Sequence, residues 1–398
     1  MKLLLLLATT FALNCYSQNK NESEKYERSS LYTLMVTKPG REYEDDIKNY
    51  FEENFISEKF NTHNLRERFI SGSSLNSRTE EKENVTAYLN DNKIANMLIA
   101  KWFNRSKKGG FDLEMLKSRS FYNAQFQDVA LAKNTLRGLT GISDGGSSLI
   151  DNTFVLVLDS RYTNKEEVAK SAKSTLGMLG SFGVLGGLSG LVQDAANLTL
   201  DTFGKGFVVA TNAHLFKLVW NEEVEARFYE LWATDKDITP EKRAAFDAAD
   251  FFKLEYIGTD KSYADVQSTS LTTKTNSELI GRTTIKSIDH VITKLQANYD
   301  VFKTKSPLFS VDPLTCKIGL KEGLTKKTKF EILEKVLSEK GEVSFEKIGA
   351  AKIDTSYEIW DNRYGADEEN PNQGVNATHL KLVSGKNIQP GMLIRQIK

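Results

Sequence analysis

The chain has 398 residues, of which 40% are hydrophobic and 27% are charged. This composition is typical of a globular protein of two or three domains. Lysine plus arginine and aspartate plus glutamate both number 53. The balanced charge provides no global field for a polyanion, so the sequence predicts no nucleic-acid partner.

The first residues have the layout of a secretory signal peptide, with one lysine, the apolar run Leu3–Leu13 and then small or polar residues. The run is shorter than the roughly 20 apolar residues that span a bilayer. Cleavage after Ser17 predicts residues 1–17 as the signal peptide. The alternative makes Cys15 a lipidated N-terminus, although Asn14 is unfavourable before such a cysteine. The sequence therefore predicts an exported protein of the periplasm or the outer-membrane periphery.

An α+β pattern follows, beginning with a buried strand at Leu31–Val36. A helix with acidic residues in its first turns is predicted within Arg41–Phe55. Apolar residues at helical spacing predict one helix over Thr79–Asn104 and a second over Gln125–Leu139. The expected fold class is therefore α+β, with a mixed domain over 18–305 that forms either one unit or two subdomains.

Two strong strands are predicted in the middle of the chain. Phe154–Leu158 is apolar on both faces, which is typical of a central strand. Alternation across Gly204–Trp220 predicts a second strand, with Asn212 and His214 on one face. Further helices are predicted at Glu222–Ala233, Glu241–Ala249 and Asn276–Phe302.

A glycine-rich helical insertion is predicted over 164–203, between these two strands. Six glycines would each cost a helix about 1 kcal/mol relative to alanine. Nine large apolar side chains of Ser174–Gln193 would each contribute about 1.5–3 kcal/mol if buried. Burial prevails, so we expect a buried helix or helical hairpin whose glycines let another backbone approach. These glycines are Gly177, Gly180, Gly183, Gly186, Gly187 and Gly190.

Three surfaces remain open as the partner of this segment: the same domain, a second copy of the protein, and lipid. A single membrane crossing would place the two flanking strands on opposite sides of a bilayer. Both strand patterns, however, are typical of one sheet, and this disfavours a single crossing.

A separate small β-domain is predicted over 306–398. Strand alternation predicts one hairpin across Glu339–Gly341 and another across Ser384–Asn387. The stretch Ile318–Ile332, with its glycine turn, and the stretch Ile388–Ile394 resemble the small C-terminal β-barrel of flagellar ring-assembly proteins. This resemblance implies a barrel and a role in envelope assembly. The whole chain resembles exported Gram-negative envelope proteins of unassigned function, which implies a location but no chemistry.

One serine motif invites comparison with hydrolases. Gly141–Gly145 matches G-x-S-x-G, with Ser143 in the nucleophile position. That mechanism needs a strand before the serine and a helix after it. Here the predicted helix comes before the serine and the strand after it, which favours a polar loop.

Metal and cofactor patterns are missing from the sequence. Removal of the signal peptide leaves Cys316 as the last cysteine, which excludes an internal disulfide and a cysteine metal cluster. None of the four histidines has a second ligand at metal spacing, so no metal or cofactor is expected. His214 and His379 are predicted on strand faces, His63 in a loop and His290 towards solvent.

Trp360, Arg363 and Tyr364 lie in a predicted loop, where they suggest an aromatic edge for a ligand such as a sugar or peptide. Packing under the β-domain is the alternative use of these residues. Without a catalytic constellation, the sequence predicts a non-enzymatic envelope scaffold or assembly factor that acts through a protein partner or self-association. The second hypothesis is a lipid- or glycan-binding envelope protein that contacts a membrane surface. The third is a serine hydrolase built around Ser143.

Overall fold

A computed structural model describes residues 29–53, 60–72, 81–123, 146–164, 205–268, 274–303, 305–337, 343–363, 366 and 374–397. The strands are β1 (Ser30–Thr37), β2 (Asn61–Thr62), β3 (Phe69–Ser71), β4 (Thr153–Asn164), β5 (Lys205–Leu218), β6 (Leu254–Ser268), β7 (Ser306–Val311), β8 (Leu314–Cys316), β9 (Lys329–Leu337), β10 (Val343–Ile353), β11 (Thr378–Ser384) and β12 (Leu393–Ile397). The helices are α1 (Glu44–Glu53), α2 (Glu81–Asp91), α3 (Ile94–Trp102), α4 (Glu114–Asn123), α5 (Gly146–Asp151), α6 (Glu222–Leu231), α7 (Pro240–Ala248) and α8 (Asn276–Asn298). The predicted signal peptide and the helix predicted over Gln125–Leu139 lie outside these residues.

The first six strands form one mixed sheet in the order β2-β1-β4-β5-β6. Strand β1 is parallel to β4 on one side, and on the other side it is parallel first to β2 and then to β3. The gap between β2 and β3 is filled by Asn64, whose Oδ1 accepts the backbone N–H of Thr33 at 3.0 Å. The pairs β4–β5 and β5–β6 are antiparallel.

Side-chain alternation along the strands separates two cores on the two faces of the sheet. On the first face, Val157 and Phe216 pack with residues of α2 to α7. On the second face, Leu156 and Leu215 pack with residues of α1 and α8. All residues of Phe154–Leu158 are buried, which confirms the predicted central strand. Helices therefore cover the sheet on both sides.

Two helices, α2 and α3, replace the single helix predicted over Thr79–Asn104. Lys93, between them, adopts the left-handed conformation with φ 50°. Asn92 Nδ2 donates to Tyr88 O at 2.8 Å, which satisfies a carbonyl in the last turn of α2. Lys93 Nζ donates to Ala249 O at 3.2 Å and fixes the break beside the end of α7. The prediction was wrong because apolar spacing continues across the break.

Helix α8 covers the outer edge of β6. Two of its side chains and the following tyrosine reach alternate residues of that strand. The bonds join His290 Nδ1 to Tyr263 O, Lys294 Nζ to Lys261 O, and Tyr299 Oη to Thr259 N and O. Gly258 is required beside this contact, because a Cβ there would collide with the Tyr299 ring. The edge groups used in these bonds are not available to another strand.

The last six strands form a closed barrel in the order β10-β11-β8-β7-β12-β9. Its interior includes Phe330, Ile332 and Ile394. Cys316 is also inside, and burial raises the pKa of its thiol to about 12. The mixed α+β class with a C-terminal β-barrel-like region is confirmed.

Strands β11 and β12 do not form the hairpin predicted across Ser384–Asn387. Strand β11 pairs with β10 and β8, whereas β12 pairs with β7 and β9. The connection crosses β10 at Gly349, where a Cβ would lie 2.6 Å from Ser384 O and 3.2 Å from Gly385 Cα. Alternation in the sequence therefore identified both strands, but the pairing depends on barrel closure.

Candidate functional site

Polar side chains replace apolar ones on the first face of the sheet near the carboxyl ends of β1 and β4. Val36 pairs with Asp159, Asp159 with Asn212, and Asn212 with Lys261. Cross-strand partners share a face, so the last three side chains form a polar row. The carboxyl edge of parallel strands is also where open α/β sheets commonly bind ligands. The polar row of Asp159, Asn212 and Lys261, together with Lys38, Arg161, His214 and Thr259, is called here the carboxyl-end cluster.

In the carboxyl-end cluster, the Asp159 carboxylate pairs with two of the three cations. Lys38 Nζ lies 2.8 Å from Asp159 Oδ1, and Arg161 Nη2 lies 3.4 Å from Asp159 Oδ2. The Asp159 side chain is 15% exposed, whereas those of Lys38 and Arg161 are both 33% exposed. The two cations therefore reach water while the carboxylate that joins them is mostly covered.

His214 is held in this cluster by a chain of hydrogen bonds. Thr259 Oγ1 lies 2.9 Å from Ala213 O and 3.2 Å from Asn212 Oδ1, and Asn212 Nδ2 donates to His214 Nε2 at 3.0 Å. Burial lowers the pKa of His214, and the negative charge of Asp159 opposes that change. Because Nε2 accepts an amide hydrogen and the residue is only 6% exposed, the geometry favours a positioning role for this histidine over proton transfer to a ligand.

Both ends of the glycine-rich insertion attach to this edge of the sheet. Strands β4 and β5 stay in register up to the pair Asn164 and Phe207. The chain thus leaves the sheet after Asn164 and returns at Lys205 beside it. The two flanking strands are neighbours in one sheet, as predicted, and so lie on the same side of any bilayer. The six glycines themselves lie outside the described residues.

The predicted ligand edge is only partly within the described residues. Trp360 is half-buried. Its backbone N–H donates to Thr378 Oγ1 at 3.2 Å, and its backbone carbonyl accepts from Leu320 N at 2.9 Å. The Arg363 side chain makes two hydrogen bonds to Asp361, from Nε at 2.8 Å and from Nη2 at 2.6 Å. Tyr364 lies outside the described residues.

Another aromatic residue, which sequence reasoning missed, accompanies Trp360. Lys317 Nζ lies 4.4 Å from the ring centre of Phe309 and 5.7 Å from that of Trp360. Phe309 is 45% exposed. The barrel surface therefore presents two aromatic rings around one lysine. The sequence pattern indicates this site only weakly, because Phe309 is a single apolar residue in a short strand.

The remaining sequence candidates are scattered. His379 lies on β11, stacked on Tyr357 at 4.0 Å between ring centres. His63 follows β2 in a loop, as predicted, but is fully buried. His290 is exposed on α8, as predicted. Among the residues that the structure describes, no three His, Cys, Asp or Glu side chains are grouped to hold a metal ion.

Ser143 lies outside the described residues. In the described parts of the chain, no helix combines the length and apolarity needed to cross a bilayer. No protein-family model matches the chain, and no curated protein matches it at a significant level. The functional argument therefore rests on the residues and their geometry.

Proposed function

We propose that the protein is a non-enzymatic scaffold or assembly factor of the bacterial envelope that acts by protein association. The observation that carries this proposal is the pairing of β4 with β5 up to Asn164 and Phe207. This pairing brings Asn164 and Lys205, the residues that flank segment 165–204, to one edge of the sheet. Both attachment points of the glycine-rich insertion therefore lie close together. Its Gly183-x-x-x-Gly187 spacing suits close backbone contact with a second protein surface.

The charged surroundings of this edge also support a protein partner. Lys38 and Arg161 reach solvent on the first face, at the end where the insertion leaves the sheet. Charged groups at the rim of an apolar contact give register and specificity. The resemblance of Ile318–Ile332 and Ile388–Ile394 to barrels of envelope-assembly proteins supports the same role.

Deletion of segment 165–204 tests this function directly. Because β4 and β5 are antiparallel neighbours, an Asn-Gly turn can replace the segment without moving either strand. We expect the deletion variant to unfold cooperatively but to be monomeric, whereas the full-length mature chain associates. Light scattering over a hundredfold concentration range measures this difference. A deletion variant that associates as strongly as the parent chain would contradict the proposal.

The double substitution Gly183→Leu and Gly187→Leu separates association from lipid binding. Added leucine blocks close backbone approach but strengthens insertion into lipid. We expect loss of association without stronger flotation on liposomes. The matched control is Gly374→Ala, at a site where a Cβ would meet no atom within 4 Å. Stronger flotation with unchanged association would favour the lipid-binding alternative.

Glycan binding by the barrel is a second candidate function, favoured by the two rings around Lys317. Exposed aromatic faces present apolar area that sugar rings can cover. Trp360→Ala and Phe309→Ala would each abolish binding to a glycan found in an unbiased screen, while Tyr357→Ala would leave it unchanged. Equal binding by all three variants would exclude this surface.

A further inference from the structure

Arg119 lies near the amino end of β1, far from the carboxyl-end cluster, and contacts only neutral acceptors among the described residues. Its Nη1 donates to Ser30 Oγ at 3.1 Å and to His63 Nδ1 at 3.0 Å. Its Nη2 donates to Thr62 O at 2.9 Å. The guanidinium lies 4.6 Å from the ring centre of Trp102. Burial lowers the pKa of Arg119 to about 10.

His63 cannot supply the missing negative charge. Its Nε2 lies 3.1 Å from Leu98 O, so that nitrogen carries the hydrogen and donates it to the carbonyl. Its Nδ1 is therefore the acceptor of the Arg119 hydrogen. Burial lowers the pKa of His63 well below the usual range, and the charge of Arg119 acts in the same direction. The ring is neutral, and it stacks on Trp102 at 4.7 Å.

A second cation approaches the same short segment. Lys101 Nζ donates to Asn64 O, the residue directly after His63. Burial lowers the pKa of Lys101, and the charge of Arg119 adds to the effect. Within the described residues, no carboxylate forms an ion pair with Lys101 or Arg119. Two partly buried cations therefore converge on residues 62–64 without a counter-ion there.

The guanidinium also keeps donors for a further acceptor. It carries five N–H groups, and its bonds to Ser30, His63 and Thr62 use three. The Nε–H and one Nη2–H remain, and these two nitrogens share one edge of the guanidinium plane. Such a pair of donors matches two oxygens of a carboxylate or phosphate. Arg119 is half-buried and Thr62 is exposed, so this edge is near solvent.

We propose that Arg119 and Lys101 form a binding site for an oxyanion, the carboxylate or phosphate group of a small ligand. A partly buried charge without a counter-ion is unfavourable, and a bound anion removes that cost. Trp102 and His63 hold the guanidinium in place, since one packs along it and the other accepts from it. The site lies at the opposite end of β1 from the glycine-rich insertion and does not depend on the association proposal.

Thermal melting of the full-length mature chain tests the site. Inorganic phosphate and acetate are added separately, and sodium chloride keeps the ionic strength constant. An anion that binds only the folded state raises the melting temperature, and we expect a rise of about 2–4 °C at 50 mM for the preferred anion. The preferred anion distinguishes a phosphate ligand from a carboxylate ligand. No rise with either anion would overturn the proposal.

Substitutions test whether anion binding depends on Arg119 and Lys101. Arg119→Gln should weaken the anion affinity at least tenfold by calorimetric titration. Lys101→Gln leaves every Arg119 contact in place and should weaken it about threefold, which keeps the test valid if the first variant fails to fold. Arg227→Gln is the control. Arg227 is a residue of α6 and lies over the Phe251 ring, away from this site. Equal affinity in Lys101→Gln and the parent chain would overturn the proposal.

Discussion

The two ends of the sheet each hold a buried histidine beside positively charged side chains, and they differ in how the charge is compensated. At the carboxyl end, Asp159 joins Lys38 and Arg161. At the amino end, Arg119 and Lys101 contact carbonyls, a hydroxyl and an imidazole. We call this second group, with His63 and Trp102, the amino-end cluster.

The difference shows how similar residue types acquire different roles from their surroundings. In the carboxyl-end cluster an internal carboxylate pairs with two cations, and both of these reach water. Among the described residues, the amino-end cluster leaves its positive charge without a counter-ion and two Arg119 N–H groups without an acceptor. The ring of Trp102 packs along the guanidinium. The first arrangement suits the rim of a protein contact, while the second suits capture of a small anion.

The largest expected difference between the two clusters is in the free energy of unfolding that is lost when the histidine of each cluster is replaced by alanine. His63→Ala removes a fully buried ring stacked on Trp102 and leaves Leu98 O without its donor, so we expect a loss of about 3 kcal/mol in unfolding free energy. His214→Ala should cost about 2 kcal/mol, because Asn212 is half-buried and can turn towards water. Urea unfolding at pH 8 measures both.

The control for this pair is His379→Ala on the barrel, where we expect a loss of about 0.5 kcal/mol. Equal losses for His63→Ala and His214→Ala would mean that the two ends are packed alike. The comparison between the clusters would then concern charge alone.

Acid sensitivity sharpens the comparison further. The pKa of His63 is lowered in the folded state, so below about pH 6.5 the unfolded chain binds one proton that the folded chain does not. Stability is therefore retained above that pH and falls as the pH decreases, by about 1.4 kcal/mol per unit for one such histidine.

His63→Gln should reduce this loss between pH 7 and pH 5 by about 2 kcal/mol relative to the parent chain. His214→Gln should have a smaller effect, since Asp159 opposes the lowering of its pKa. Urea unfolding at several pH values measures the slopes, and carboxylates common to all variants cancel in the differences. Parallel slopes for His63→Gln and the parent chain would show that His63 takes up a proton in the folded protein.

Local patterns in the sequence predicted much of the fold. Apolar spacing predicted a helix from Asn276, and α8 begins at that residue. There Thr275 Oγ1 accepts from Glu278 N at 3.2 Å and Glu278 Oε2 accepts from Thr275 N at 2.7 Å. Alternation likewise placed Asn212 and His214 on one face of β5. These features depend on neighbours within a few residues, so one segment is enough to predict them.

The two clusters could not be predicted, because their members come from distant segments. Lys38 meets Asp159 only after β1 pairs with β4, and Arg119 meets His63 only after α4 packs beside β2. A one-residue change of register would turn Asp159 to the other face. The break at Lys93 also has no apolar signature. Long-range pairing therefore decides where the charges meet.

The smallest expected effect concerns the ion pair at the carboxyl end. A double-mutant cycle with Lys38→Met and Asp159→Asn should give a coupling of about 0.5–1 kcal/mol, because exposed lysine pays side-chain entropy and water screens the pair. Arg161→Met in place of Lys38→Met should give less, since its distance to Asp159 is 3.4 Å against 2.8 Å. Urea unfolding at pH 8 keeps His214 neutral in every variant, and 1 M salt should reduce the coupling. A coupling above about 2 kcal/mol that persists in salt would be typical of a buried ion pair. The carboxyl end would then hold its cations as tightly as Trp102 and His63 hold Arg119, and its role as a solvent-facing rim would have to be abandoned.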